Sequence, residues 1–180
     1  IEMMCRHMSA TFSEAESGHS TMTIAAGQAI PQASFQIKTE DGIATHDSLE
    51  YFAAGRSVLF SVPGAFTPTC SAKHLPTFIE HYDALKAAGV DRIACLAVND
   101  AYVMEVWGDQ NDTNGKIDML ADPHGELAAA LGLLVNMGPV LGNRATRCAI
   151  IVDDGTVTKV LMEEVGVLEV SSATHVLTQL

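Results

Sequence analysis

The chain has 180 residues, 48% of them apolar and 18% charged, with a formal net charge of −12. That length suits one domain with a substantial buried core, and the acidic surplus argues against nucleic acid or an anionic membrane as partner. The longest uncharged stretch, 127–143, is interrupted by Gly132, Gly138, Pro139 and Gly142, so it does not supply the roughly 20 consecutive apolar residues of a membrane span.

Residues 1–21 lack the apolar centre of a secretory signal and are not rich in arginine. They read as a disordered or appended extension in which Cys5 is an incidental thiol, with the folded domain over 22–180. Residues 27–45 read as an N-terminal addition, shaped as a small hairpin. Five runs rich in Val, Ile or Leu predict strands at 57–62, 92–98, 117–121, 147–153 and 156–162. Asp154-Gly155 joins the last two as a tight hairpin. Helices are predicted over 70–88, 100–110, 124–131 and 171–180. On the first, Leu75, Phe78, Ile79, Tyr82 and Leu85 repeat at helical spacing and form a core stripe; Gly89 suits its end, Pro76 should bend it or mark a distorted first turn, and His81 should face solvent. The order is βαβαββα.

Four cysteines (Cys5, Cys70, Cys95, Cys148) lie at irregular spacing without a CxxC pair. This is neither a disulfide framework nor a zinc pattern, and it favours a reducing compartment, the cytoplasm or an organelle. No histidine has metal-ligand spacing. Cys70 stands apart because it ends the loop Pro63-Gly64-Ala65-Phe66-Thr67-Pro68-Thr69, behind one strand and at the head of a helix. A sulfur there faces unpaired backbone N–H groups and the positive end of the helix dipole, which favour the nucleophilic thiolate.

The run VPGAFTPTCSAKHLP resembles the active-site segment of peroxiredoxins, whose pattern PxxxTxxC matches Pro63, Thr67 and Cys70. The longer PGAFTPTCS is similar to the type II subgroup, which includes the fifth-type atypical two-cysteine enzymes. LAVNDAYVMEVW, LADPHGELAAALGL and RCAIIVDDGTVTKV match further along, so the resemblance spans about 22–180. It implies an α/β, thioredoxin-like single domain with N-terminal additions. The implied activity is thiol-dependent reduction of hydrogen peroxide and alkyl hydroperoxides through a cysteine sulfenic acid, with no metal, haem or flavin.

Such chemistry needs more than an ionised sulfur. A free thiol is about 3% ionised at neutral pH, so full ionisation supplies only about 30-fold. The rest requires hydrogen bonds aimed at the polarising O–O bond. By resemblance, Cys70 is the nucleophile, Thr67 and Arg147 activate it and the peroxide, and Pro63 shields the pocket. Plainer roles stand beside these: loop stiffening for Pro63 and Pro68, and a helix N-cap for Thr67. Arg144 is the rival arginine, expected in a loop. His74 is a tempting base, or else a polar contributor near the pocket or a dimer contact.

A sulfenic acid must then be resolved by a second thiol. The late resolving cysteine of the atypical two-cysteine relatives would fall at Val170, so an internal disulfide of that kind is in doubt. Cys95 is the other candidate, in a strand that also suits a small core residue; Cys148 reads mostly as packing. Glutathione, with or without glutaredoxin, or thioredoxin is the implied external reductant. A homodimer meeting through the loops near Phe66 and 100–107 is also implied. A non-enzymatic redox sensor or chaperone-like protein is the alternative function.

Overall fold

The computed structural model describes residues 22–180; the readings made for 1–21, Cys5 included, lie outside them. The chain folds around a seven-stranded mixed sheet flanked by helices on both faces. Strands β1 (Ser34–Thr39) and β2 (Gly42–Asp47) form the expected hairpin. The remaining strands are β3 (Arg56–Ser61), β4 (Arg92–Ala97), β5 (Asp118–Ala121), β8 (Cys148–Asp153) and β9 (Thr156–Met162), each within a residue of its predicted span. Their spatial order is β2-β1-β5-β4-β3-β8-β9, with β3, β4 and β5 parallel to one another. The N-terminal hairpin is not a separate appendage: β1 pairs antiparallel with β5 and extends the sheet.

The sheet sorts its residues by alternation, since successive side chains on a strand point to opposite faces. Val58 and Phe60 of β3, Cys95 of β4, and Ala149 and Ile151 of β8 face one core. Leu59, Ala94, Leu96, Cys148, Ile150 and Val152 face the other. The first core is covered by α2 (Leu75–Glu80), α3 (Tyr82–Ala87), α4 (Ala101–Asp109) and α7 (Ala173–Leu177). The second receives α5 (Glu126–Ala130), with Leu127 and Leu131 buried in it. Cys70 belongs to the first core, so the loop that delivers it lies on that face.

Three elements depart from the sequence reading. The predicted helix 70–88 is three pieces: a π-turn over Cys70–His74, then α2, then α3 after a break at His81. Pro76 accounts for the first departure. It has no N–H, and its ring would strike the carbonyl four residues back, so the preceding turn widens and Leu75 N–H reaches the Cys70 carbonyl instead. His81 is half-buried, not solvent-facing, with Nδ1 2.9 Å from the Thr77 carbonyl. The strands β6 (Leu134–Asn136) and β7 (Asn143–Ala145), paired as a separate ribbon around α6 (Gly138–Leu141), carried no usable signal in a Gly-rich stretch. Nor did the one-turn α1 (Ser48–Tyr51), which is capped by the Asp47 carboxylate. The β8–β9 hairpin turns as expected, with Asp154 and Gly155 both at positive φ (46° and 76°).

Candidate active site

The loop from Val62 to Thr69 runs out of β3 over the end of the sheet and delivers Cys70 to the π-turn. It is tied down at both ends. Val62 N–H donates to Leu96 O at 3.0 Å, and Ala65 N–H donates to Asn99 Oδ1 at 3.0 Å. Ser71 N–H reaches back to Thr67 O at 3.0 Å, closing the first turn. Gly64 is needed for space: a Cβ there would stand 2.8 Å from Arg144 Nη1. Phe66, half exposed, takes φ +62° at the loop's tip.

Two of the arginine expectations are separated cleanly by geometry. Arg147, immediately before β8 and 9% exposed, places Nη2 3.3 Å from Cys70 Sγ. Arg144 lies on β7, not in a loop, and its guanidinium is committed elsewhere: Nε donates to Leu141 O and Nη1 to Val98 O. The guanidinium of Arg147 is thus the cation brought to the sulfur, aimed across the ends of β3 and β8 where Ser61 pairs with Cys148.

Thr67 lies within the loop and spends its hydroxyl proton on the loop's own backbone. Its Oγ1 donates to Gly64 O at 2.8 Å, which leaves lone pairs free to accept. It does not cap the π-turn; that position is Thr69, whose side chain makes no cap bond. Pro63 is half-buried at the exit of β3. Cys70 itself has no exposed surface. The sulfur is therefore enclosed in this conformation, which the sequence did not foretell for a loop-end cysteine.

His74 cannot serve as a base here. Both its nitrogens are occupied: Nδ1 lies 2.9 Å from Arg147 Nη1, and Nε2 lies 3.0 Å from the Ser171 carbonyl. Phe60 and Phe78, stacked on each other at 3.9 Å, wall the imidazole. Burial, assisted by the Arg147 charge and opposed by the Ser171 carbonyl and the Glu163 charge, pushes its pKa down from 6.5 to about 4. A consequence for stability follows by linkage. Between pH 6.5 and 4 the unfolded chain holds a proton at this position that the folded chain does not. The stabilising effect is complete above pH 6.5 and is lost as pH falls towards 4, by roughly 3 kcal/mol at 1.36 kcal/mol per unit. Chemical denaturation at stepped pH should show that loss in the wild type and a shallower slope in His74→Leu.

Among the described residues the other cysteines, Cys95 and Cys148, are free and buried. Cys95, opposite Phe60 on β4, shares the Cys70 core, and burial, then the nearby Cys70 sulfur, push its thiol well above the ordinary range. Cys148 points to the opposite core, 3.2 Å from Ser61 Oγ, with its thiol raised to about 12 by burial. Val170 is half-buried next to Ser171. Trp107 of α4 is fully buried and donates from Nε1 to Ser71 Oγ at 3.0 Å, whereas Tyr102 is exposed. Sequence reasoning missed Glu163 and Ser171. Glu163 Oε1 accepts from Ser171 Oγ at 2.8 Å and from the backbone N–H groups of Ser171 and Glu169, each at 2.7 Å. No pattern in the sequence marks either residue.

Residues 25–177 match the Redoxin family. Peroxiredoxin-2B of Arabidopsis thaliana is 42% identical over 159 residues, which cover 87% of this chain and 98% of that one. The chain belongs to the peroxiredoxin family. It is a type II-like peroxiredoxin, and so a thiol-dependent peroxidase. Chloroplastic peroxiredoxin-2E-2 of rice (Oryza sativa subsp. japonica) is 43% identical over 164 residues, covering 88% of this chain and 73% of the relative. Among solved structures, reduced Prx3 from Vibrio vulnificus in complex with hydrogen peroxide superposes with a TM-score of 0.85 at 44% identity. That match covers 87% of this chain and 99% of the other. Among the described residues, no helix of this peroxiredoxin is long and apolar enough to cross a membrane.

Proposed function

We propose that Cys70 is the peroxidatic nucleophile, that Arg147 and Thr67 hold the hydroperoxide, that Pro63 shapes the pocket, and that glutathione with glutaredoxin returns the enzyme to its thiol form. The observation that carries this reading is the 3.3 Å approach of Arg147 Nη2 to Cys70 Sγ. A guanidinium stays charged throughout and can donate to the sulfur and a peroxide oxygen together. The Thr67 lone pairs, its proton being spent on Gly64 O, accept from the peroxide O–H. The Cys70 thiolate attacks the distal oxygen, the S–O bond forms as the O–O bond breaks, and the departing alkoxide or hydroxide takes a proton. Sulfur loses two electrons to become the sulfenic acid. One glutathione condenses with it to a mixed disulfide and water, and a second thiol releases Cys70. The electron balance closes on thiols alone, with no metal, haem or flavin in the cycle.

Because Cys70 is enclosed, peroxide enters when the Pro63–Thr69 loop, tethered to Asn99 through Ala65 N–H, yields. The same opening exposes the sulfenic acid to a reductant. External resolution is supported by Val170 standing in place of a late cysteine and by Cys95 lying fully buried on a strand. Thioredoxin would use the same opening. Phe66, Tyr102 and Val106, exposed by 51%, 61% and 46%, offer apolar surface for a homodimer around the loop. The free cysteines suit a reducing compartment such as the cytoplasm. Steady-state peroxide consumption with glutathione and glutaredoxin tests the reading. Cys95→Ser should keep most of that turnover, and mass spectrometry after one peroxide equivalent should find glutathione on Cys70. An internal Cys70–Cys95 disulfide would overturn external resolution.

A further inference from the structure

We propose that Glu163 and Ser171 are positioning residues which, through a single tautomer of His74, aim the Arg147 guanidinium at the Cys70 sulfur. The inference rests on the role proposed above for Cys70 and Arg147, and extends it to a chain of buried groups reaching the C-terminal loop.

The direction of every hydrogen bond in the chain is forced. Arg147 has only donors, so His74 Nδ1, 2.9 Å from Nη1, must be the acceptor and carry no proton. The neutral imidazole then holds its one proton on Nε2, where it faces the Ser171 carbonyl at 3.0 Å, a group that only accepts. Ser171 Oγ lies 3.3 Å from the same Nε2 and 2.8 Å from Glu163 Oε1. Its proton goes to the carboxylate, which turns a lone pair towards the imidazole N–H. Donation therefore runs without conflict from Arg147 to His74, from His74 to Ser171 and from Ser171 to Glu163. The other tautomer would set an Nδ1–H against the guanidinium and leave Nε2 without a proton against a carbonyl.

All four residues are buried: Arg147 is 9% exposed, Glu163 6%, and His74 and Ser171 0%. In such surroundings an unmatched donor or acceptor costs far more than at a surface, so the chain is a constraint and not an incidental set of contacts. Burial alone would push the Glu163 carboxyl up, but the N–H groups of Ser171 and Glu169, the Ser171 hydroxyl and the His74 ring hold it below the ordinary carboxylate value. Glu163 grips Arg147 from the other side as well, because its own N–H donates to the Arg147 carbonyl at 3.1 Å. A single residue thus fixes both the backbone of Arg147 and, through two intermediates, its side chain.

The test is a double-variant cycle with a tautomer readout. Single-turnover oxidation is followed by rapid quench, with the Cys70 sulfenic acid trapped by dimedone, in wild type, Glu163→Gln, His74→Leu and the double variant. Glu163→Gln should slow oxidation by about fivefold and His74→Leu by about tenfold, the scale of one ordinary hydrogen bond. The double variant should be no slower than His74→Leu, because Glu163 acts through the imidazole. If the two effects multiply, or Glu163→Gln matches wild type, the proposal is wrong. Nitrogen-15 NMR of the histidines, assigned by the resonance lost in His74→Leu, should show His74 protonated at Nε2 alone in wild type and mixed tautomers in Glu163→Gln. An Nδ1–H tautomer in wild type overturns the proposal whatever the rates. Should Glu163→Gln not fold, Ser171→Ala enters the same cycle and is judged by the same outcomes. A wild type whose Cys70 does not react at all would refute the nucleophile assignment, a result that the NMR arm keeps separate.

Discussion

Cys70→Ser will consume no peroxide. A serine hydroxyl is not ionised at neutral pH and oxygen cannot take up the transferred oxygen atom, so no sulfenic acid forms and no later step has a substrate. The fold should survive, because the side chain is nearly isosteric and its oxygen can still accept from Arg147 Nη2, now at 3.3 Å from the sulfur. A stability change of about 1 kcal/mol or less is the expected scale for so small a replacement. Peroxide disappearance with glutathione and glutaredoxin, read beside thermal unfolding, checks both halves. Turnover retained in a folded Cys70→Ser protein would move the nucleophile to another cysteine. Cys95 and Cys148, both fully buried with thiols raised by burial, are poor heirs.

Arg147→Lys should cost about a hundred- to a thousand-fold in the second-order rate with peroxide, the range seen when one donor to a developing oxyanion is removed. Charge is conserved in that change, so the loss isolates geometry. The guanidinium fork spans two acceptors, Cys70 Sγ and His74 Nδ1. An ammonium on a flexible stem cannot hold both in a fixed plane. Competition kinetics against a second peroxide scavenger measure the rate. A loss under tenfold would mean that the cation matters only as a point charge, and that the fork is dispensable.

The sequence carried the sheet and the position of Cys70 because both write local signals. Each of the five predicted strands is a short apolar run bounded by turn residues, and Cys70 ends a loop fixed by Pro63 and Pro68. Arg147 was legible because it opens a strand in a segment resembling other family members, and the neighbouring Arg144 could be told from it only when Val98 O and Leu141 O were seen to hold it. The π-turn was hidden because Pro76 announces a distortion without saying of which kind. Glu163 and Ser171 were hidden more deeply. Ser171 meets His74 from 97 positions away, and no periodicity links a glutamate after β9 to a histidine after Cys70. The Thr67 hydroxyl shows the same limit on a smaller scale: a motif names the residue, while the direction of its proton depends on a carbonyl three positions back.

The chain contains one tryptophan, and its indole N–H rests on Ser71, the residue after Cys70. An indole's emission responds to the polarity and charge around it, so the fluorophore sits where oxidation of Cys70 would change its surroundings. The protein carries its own indicator dye, without competing fluorophores of its kind to dilute the signal. Oxidation of Cys70 should therefore shift its emission in unlabelled material.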